Sequence, residues 1–130
     1  MASNVVSDNF ETGTGGVPQL GGTGATTCKA WVNFNGTGTV AIRDSYNVSS
    51  IADNGTGKYT VNFTSAMGNS DYTTVGGTIG DDNTTGSATQ FVGGGSGIPE
   101  PTTSAVGFKF IHVNGNSYDV ERVNIQVFGD

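Results

Sequence analysis

Few side chains in this sequence could carry out catalysis, and they are far apart along the chain. His112 is the only histidine and Cys28 the only cysteine. A nucleophile–base–orienter arrangement needs a base, but His112 falls in a predicted strand, on the same face as Phe108 and Phe110, with no Ser or Asp neighbour that suggests a triad. We interpret it as a partly buried histidine with satisfied hydrogen bonds. Cys28 cannot form an internal disulfide and is expected to be a small buried side chain beside Trp31.

Paired carboxylates are the second arrangement considered, because two of them across a cleft can hydrolyse glycosidic bonds. The candidates are Asp44, Asp53, Asp71 and Asp119. Each is predicted at a turn or a strand end, and spacing in the sequence does not bring them together. We therefore expect no glycosidase or depolymerase activity, no catalytic residues and no cofactor. The sequence predicts a protein that is not an enzyme.

Asp81, Asp82 and Asn83 concentrate hard oxygen ligands in one loop, as calcium sites do. The run lacks the alternating spacing and the distal glutamate of an EF-hand, so we interpret it as a solvated acidic loop and predict no metal. The glycine-rich runs 13–16 and 93–97 lack a following lysine and helix, which leaves phosphate binding without support.

The charge and composition disfavour several classes of partner. Five basic against eleven acidic residues give a net charge of −6, which predicts no binding to nucleic acid or to anionic membrane surfaces. Residues 1–4 lack the basic and apolar parts of a signal peptide, and no apolar run has the length of a membrane span. These features predict a protein that is made and folded in a cytoplasm.

Apolar and polar residues alternate over several short segments, which is the pattern of half-buried strands. The clearest segments are 29–34, 39–43 and 58–63. The breaks at 35–38 and 53–57 are rich in Asn, Asp and Gly, which tolerate the backbone angles of tight turns. Together they predict a β-meander.

Trp31 is the largest apolar side chain of this meander, and the segment 44–51 is its least regular part. Trp31 is expected in the core, and a surface position that stacks on a sugar is the alternative. The segment 44–51 is predicted to continue as a strand through Tyr46 and Val48, with a bend where Ser49 and Ser50 disturb the alternation.

The second half of the chain predicts a strand at 72–79, a long loop at 80–103 and a closing hairpin. The hairpin pairs 104–113 with 117–128 around Asn114-Gly115, which is the strongest two-residue turn signal in the sequence. These are the longest strands, so we place them centrally in a sheet. In the strand 72–79, Gly76-Gly77 is expected to weaken pairing or mark a bulge.

These elements predict an all-β fold, a small antiparallel β-sandwich or jelly-roll-like domain of about seven strands over residues 28–130. Residues 1–27 have no sustained periodicity and predict an extended N-terminal arm that docks on a partner, a frayed terminus being the alternative. The candidate docking side chains are the scattered hydrophobic ones of this arm, Val5, Val6, Phe10, Val17 and Leu20.

The closing strands carry large apolar groups on both faces, which predicts a subunit contact on one of them. The candidate contact residues are Ile111, Val113, Val123, Ile125 and Val127. A bulge near Glu121 would explain the change of phase in the second strand alone, and it is the alternative interpretation.

The run KAWVNFNGTGTVAIRDSYNVSSIADNGTGKYTVNF at 29–63, followed by Thr64 and Met67, resembles a module of tailed-bacteriophage virion proteins. Modules of this kind lie at tail-fibre ends and in small surface proteins of phages that infect marine and aquatic bacteria. The resemblance extends from Lys29 to about Tyr72. It has no catalytic signature to transfer, so it implies a structural role in the virion, and it implies a homotrimer.

Two placements in the particle are consistent with this resemblance. A capsid decoration protein would dock on other virion proteins through 1–27 and expose the loop 80–103, with Asp81, Asp82, Asn83 and Phe91. A short fibre or fibre-tip protein would bind a host-surface glycan or protein through the same loop. A free carbohydrate-binding module is the alternative of a different class.

Overall fold

The structure is a computed structural model that describes residues 10–12, 18–20, 28–79, 89–93, 95–112 and 115–129. Its described part is all-β, as predicted. The strands there are β1 (Phe10–Thr12), β2 (Pro18–Leu20), β3 (Cys28–Asn35), β4 (Ala41–Tyr46), β5 (Val48–Asp53), β6 (Lys58–Phe63), β7 (Thr73–Ile79), β8 (Thr89–Gly93), β9 (Ala105–His112) and β10 (Arg122–Phe128).

Two four-stranded antiparallel sheets pack against each other as a sandwich. The first sheet has the strand order β4-β3-β10-β7, and the second has the order β5-β6-β9-β8. Within the predicted arm, β1 and β2 pair with each other in a separate two-stranded sheet. The first and last strands of the sandwich are neighbours, since Cys28 of β3 pairs with Phe128 of β10.

The core lies between the two sheets and is made by alternate side chains of the central strands. The rings of Phe34 and Tyr59 meet edge to face from opposite sheets, with centroids 5.2 Å apart. Aromatic pairs of this geometry contribute about 0.5–1.5 kcal/mol beyond the burial of their area. The buried cluster consists of Ala30, Val32, Phe34, Val48, Tyr59, Val61, Phe63, Met67, Val106, Phe108, Phe110, Val120, Val123, Ile125 and Val127.

The predicted meander of residues 29–63 is divided between the two sheets. β3 and β4 form a hairpin in the first sheet, and β5 and β6 form another in the second. The chain changes sheets at Asn47, whose φ of 55° lies in the left-handed region that Asn tolerates better than most residues. The expected irregularity follows at once, because the register of β5 against β6 shifts between Val48 and Ser50.

The prediction of a closing hairpin was wrong, because β9 and β10 lie in different sheets. β9 pairs with β6 and β8, whereas β10 pairs with β3 and β7. The tight turn itself forms, since Gly115 N donates to His112 O at 2.8 Å. Pairing then ends at a single bridge between Ile111 and Ser117, and residues 118–121 lead to the other sheet. Both strands are central in their sheets, as predicted.

The change of apolar phase in the last segment explains this separation. Tyr118 is 42% exposed and precedes the break near Glu121, whereas Val123, Ile125 and Val127 are 0, 1 and 0% exposed in the core. The change of phase near Glu121 thus marks a passage between sheets and not the bulge proposed as the alternative, since the register shift of β10 lies between Val127 and Phe128.

The predicted subunit contact at Val123, Ile125 and Val127 was wrong, because these side chains fill the core of their own sandwich. Ile111 is half-buried, and Val113 lies outside the described residues.

The predicted loop 80–103 contains a strand and an ordered covering segment. β8 pairs with β9 over its whole length, so the description of 80–103 as a loop was wrong for residues 89–93. Residues 95–104, called the strap below, lead back to β9. The strap is connected to the loop that follows β6, because Met67 N donates to Thr103 O at 2.7 Å.

The strap covers the outer side of the second sheet. Its Ile98 is only 7% exposed. A Cβ atom on Gly107 would lie 2.7 Å from both Ile98 Cγ2 and Pro99 O, so the strap sits directly on the β9 backbone. Thr60, the cross-strand neighbour of Gly107, is 7% exposed beneath it. The absence of a side chain at residue 107 therefore permits the close contact.

A polar network closes one end of the sandwich. Asp119 Oδ1 accepts from Gly57 N at 2.6 Å and lies 3.0 Å from the Tyr59 hydroxyl. The same hydroxyl lies 2.8 Å from Gly36 O, so its one hydrogen is shared between two acceptors. Burial raises the pKa of Tyr59 above its usual value, and the hydrogen bond with Asp119 raises that pKa further.

Candidate functional site

In the described part of the chain the strap lies on the outer side of the second sheet, whereas the outward side chains of the first sheet are mostly exposed. The outward side chains on β3, β4, β7 and β10 are called the open face below. The open face consists of Lys29, Trp31, Asn33, Asp44, Tyr46, Val75, Gly77, Ile79, Arg122, Asn124 and Gln126. Most of these residues are exposed, and the rest are half-buried.

Trp31 was expected in the core, and that expectation was wrong. Its side chain is 36% exposed on the open face, while Ala30, Val32 and Phe34 are 0, 2 and 0% exposed on the inner side of the same strand. Because successive side chains of a strand point to opposite faces, only one set can enter the core. The three smaller side chains, Ala30, Val32 and Phe34, therefore lie in the core, and Trp31 lies on the opposite face. The surface position of Trp31 is the alternative that the sequence left open.

One row of side chains crosses all four strands of the open face. Tyr46 pairs with Trp31, Trp31 with Gln126, and Gln126 with Val75, so these four residues are aligned in register. At the spacing of hydrogen-bonded strands the row spans about 14 Å. Tyr46 and Val75 are 58% and 54% exposed. This set is called the aromatic row below, and it presents two rings, an amide and an aliphatic group to solvent.

A parallel row carries mainly polar groups. Asp44 pairs with Asn33, Asn33 with Asn124, and Asn124 with Gly77. Asn33 Nδ2 donates to Asn124 Oδ1 at 2.5 Å, which fixes the two amides relative to each other. No atom of the described residues lies within 4 Å of the position that a Cβ of Gly77 would take.

A groove adjoins the aromatic row at Tyr46. It has a volume of about 400 Å³ and lies between the start of β3, the β4–β5 corner and the loop that follows β6. Its lining residues are Lys29, Tyr46, Asn47, Thr64, Ser65, Ala66 and Met67.

Asn47 holds the walls of this groove together. Its Nδ2 donates to Lys29 O at 3.0 Å and to Ser65 O at 3.2 Å. Its Oδ1 accepts from Ser65 N at 2.7 Å, and its backbone oxygen accepts from Thr64 N at 3.2 Å. The left-handed backbone of Asn47 thus serves a specific arrangement, because the side chain joins two segments that are distant in the sequence.

The four carboxylates considered for catalysis lie in different parts of the molecule and make different contacts. Asp53 Oδ1 accepts from Gly55 N at 2.9 Å in the β5–β6 turn, and Asp119 belongs to the network around Tyr59. Asp44 lies in the polar row, and Asp71 follows a turn in which its N–H donates to Asn69. Within the described ranges, no group of three or more His, Cys, Asp and Glu side chains could hold a metal ion.

The single histidine and cysteine are both half-buried. The ring of His112 lies 6.1 Å from that of Tyr118, centroid to centroid, close to the turn at Gly115. Cys28 Sγ lies 3.2 Å from Ala30 O, as a weak donor to it. Cys28 is less buried than expected.

Several predicted site residues fall where the structure gives no side-chain position. Phe10 and Leu20 lie in β1 and β2, and Phe91 lies in β8, so their backbone pairing alone is described. The other candidates for docking and for the exposed loop, Val5, Val6, Val17, Asp81, Asp82 and Asn83, lie outside the described residues.

No family model matches the chain, and comparisons with curated proteins and with solved structures gave no significant match. In the part of the chain that the structure describes, no helix has the length and apolarity to cross a membrane.

Proposed function

We propose that this protein is a non-enzymatic recognition protein on the surface of a tailed-bacteriophage particle, which binds a host-surface glycan through its open face. The observation that carries this proposal is the aromatic row, in which Tyr46, Trp31, Gln126 and Val75 are aligned across one sheet. The location on a phage particle comes from the resemblance of residues 29–72 to virion surface modules.

Carbohydrate is the ligand class that suits this mixture of side chains. The apolar C–H face of a sugar ring packs on an aromatic ring, as Trp31 and Tyr46 would allow, and sugar hydroxyls exchange hydrogen bonds with amides such as Asn33, Asn124 and Gln126. A wholly apolar patch would instead fit a permanent protein interface. The open face alternates rings and amides, which supports a polar, ring-shaped ligand.

Two placements in the virion are consistent with the proposal. A short fibre or fibre tip uses the open face to contact the host, whereas a capsid decoration protein needs docking on the shell above all. The open face therefore favours the fibre. In both forms residues 1–27 dock on other virion proteins and the protein assembles as a homotrimer. A free carbohydrate-binding module would share the face and lack the attachment.

The test of ligand binding compares three variants on an array of host envelope glycans, followed by titration calorimetry on the glycans that bind. Trp31→Ala and Tyr46→Ala each remove one ring from the row. We expect the loss of one stacked ring to weaken binding about fivefold, which corresponds to about 1 kcal/mol. Tyr118→Ala is the control, because it removes an exposed aromatic side chain outside the open face.

Equal binding by wild type and both row variants would overturn the assignment, and so would the absence of binding to every glycan. Sedimentation equilibrium must accompany the titration. If Trp31→Ala dissociates an oligomer and leaves glycan binding intact, the open face is a subunit contact and the proposed recognition role is wrong.

The placement is tested by counting copies of the protein in purified virions. Hundreds of copies per particle indicate the capsid, and a handful to a few dozen indicate the tail. Complete absence from the particle contradicts the virion assignment and leaves the free carbohydrate-binding module.

A further inference from the structure

We propose that the groove beside Tyr46 receives the carboxylate of an acidic sugar, so that the ligand of the open face is a uronate-containing oligosaccharide. This inference rests on the proposed glycan recognition and adds the charge class of the ligand. The groove is continuous with the aromatic row because Tyr46 belongs to both. A chain of sugars that stacks on the row therefore has a residue at its end that enters the groove.

The groove has one charged lining residue, and it is a cation. Lys29 is half-buried, and no carboxylate is present among the other lining residues, which are Tyr46, Asn47, Thr64, Ser65, Ala66 and Met67. In the described part of the chain, no Asp or Glu oxygen lies within 4.0 Å of the Lys29 ammonium, the one such pair being Arg43–Glu121 at 3.6 Å. Among the described residues, this positive charge has no carboxylate partner and can attract an external anion.

The groove also supplies neutral hydrogen-bonding groups around this cation. Its lining residues include Tyr46, Thr64 and Ser65, which carry hydroxyls that can donate to a carboxylate or accept from a sugar hydroxyl. Met67 and Ala66 add apolar surface to the lining, against which the C–H groups of a sugar ring can pack. A volume of about 400 Å³ is within the range of sites that hold small ligands.

The groove is formed before any ligand binds. Asn47 joins the Lys29 backbone to the loop at Ser65 through its side-chain amide, so the two walls keep their separation. Groups that are already fixed lose less conformational entropy on binding, which favours recognition of one defined group.

The overall charge of −6 does not oppose an anion at this place. Asp44 is the carboxylate of the open face, and it lies opposite Asn33, four residues along β3 from Lys29. That separation is about 13 Å along a strand, which exceeds the screening length of about 8 Å at physiological salt. Among the residues that line the groove, the charge is therefore positive.

The experiment measures binding of uronate oligosaccharides and of their carboxyl-reduced, neutral counterparts to the full chain. Lys29→Gln removes the charge and keeps much of the stem. We expect it to weaken uronate binding about fivefold, to leave the neutral sugar unchanged and to abolish the salt dependence of uronate binding. Lys109→Gln is the matched control, because it makes the same change in net charge beneath the strap, on the second sheet.

Three outcomes would overturn the inference. Equal affinity of the wild type for the acidic and the neutral sugars would show that the ligand need not be acidic. It would leave the proposed glycan recognition intact. An equal effect of Lys29→Gln and Lys109→Gln would show that net charge, and not the groove, controls binding. Tighter binding of a phosphorylated form of the same neutral oligosaccharide would reassign the acidic group from carboxylate to phosphate.

Discussion

The outer sides of the two sheets differ in what covers them and in which residues they place there. On the second sheet the strap lies so close to β9 that Gly107 has no room for a Cβ atom. On the first sheet no atom of the described residues lies within 4 Å of the corresponding position at Gly77, and Trp31, Tyr46 and Val75 are exposed. In the described part of the chain, one outer face is thus packed against the strap, and the other exposes aromatic and aliphatic side chains.

Apolar residues are therefore buried on the outer side of the second sheet and exposed on the outer side of the first. Ile98 reaches the second sheet from outside and adds a second, small apolar contact beyond the core. Val75 and Ile79 on the first sheet are 54% and 58% exposed, although they lie in a regular strand. Substitutions in matched pairs, one on each side, therefore test the comparison directly.

The largest expected effect follows from removing the anchor of the strap. Ile98→Ala should lower the free energy of unfolding by about 2–3 kcal/mol, because a buried aliphatic side chain leaves a cavity above Gly107. Val75→Ala, on the open face, should change it by no more than about 0.5 kcal/mol. Urea denaturation of both variants measures the two values, and equal losses would show that the strap is not a stabilising cover.

The two glycines provide the next contrast. Gly107→Ala should cost about 2 kcal/mol, since the new methyl group would lie 2.7 Å from Ile98 and from the Pro99 carbonyl oxygen. Gly77→Ala meets open space and should stabilise the protein by about 0.5 kcal/mol, because alanine loses less backbone entropy on folding. Thermal melts of the two variants should shift in opposite directions. A stabilised Gly107→Ala protein would contradict the close contact.

Tyrosines in the two environments give a smaller difference. Tyr59→Phe should cost about 1 kcal/mol at neutral pH, because it removes the hydroxyl shared by Gly36 and Asp119. Tyr46→Phe removes an exposed hydroxyl and should leave stability nearly unchanged. Chemical denaturation at pH 7 measures both.

The pH dependence of stability follows from the raised pKa of Tyr59. Its folded-state pKa lies above the ordinary value of 10.0, so the folded protein holds this proton more tightly than the unfolded chain does. The associated stability is complete below pH 10 and falls as the pH rises above it. Tyr59→Phe should flatten this alkaline decline in a series of urea titrations. An unchanged decline would mean that Tyr59 does not cause it.

The smallest expected change in stability comes from the aromatic row. Tyr46→Ala should cost about 0.5 kcal/mol, the size of one cross-strand contact at an exposed position. The same variant should lose glycan affinity, so stability and binding separate on the open face. A loss of several kcal/mol in a denaturation curve would show instead that the row is part of the structural core.

Local patterns predicted the strands well because alternation is a property of each short segment. Tyr59, Val61 and Phe63 were placed on one face, and they are 0, 0 and 7% exposed in the core. The turn at 53–57 was also predicted, and Gly55 and Gly57 have the positive φ angles that such a turn uses. These features depend on contacts close in the sequence.

The pairing of strands was predicted less well because it depends on contacts distant in the sequence. The Asn-Gly signal produced its turn at Gly115, but the positions of Val120 and Val123 in the core directed β10 to the other sheet. β8 was missed because residues 80–103 are rich in Gly, Ser and Thr, which obscures a strand whose pairing with β9 supplies its order.

Of the candidate site, the sequence predicted only Trp31, and only as the alternative to a core position. Trp31 was recognised as a group that could stack on a sugar, whereas its alignment with Tyr46, Gln126 and Val75 requires the register of four strands. The groove was not predicted at all, because Asn47 connects Lys29 to Ser65 across separate elements. A single alternation pattern does not reveal such a convergence.

The pairing of Cys28 with Phe128 places the entry and exit of the sandwich side by side. A unit of this kind can be inserted into a surface loop of another protein as a self-contained domain, because the host loop need only widen by about one strand spacing of 4.8 Å. The same geometry makes the sandwich suitable for circular permutation, with Cys28 and Phe128 joined by a short linker. The open face would then be transferable between carrier proteins together with the sheet that holds it.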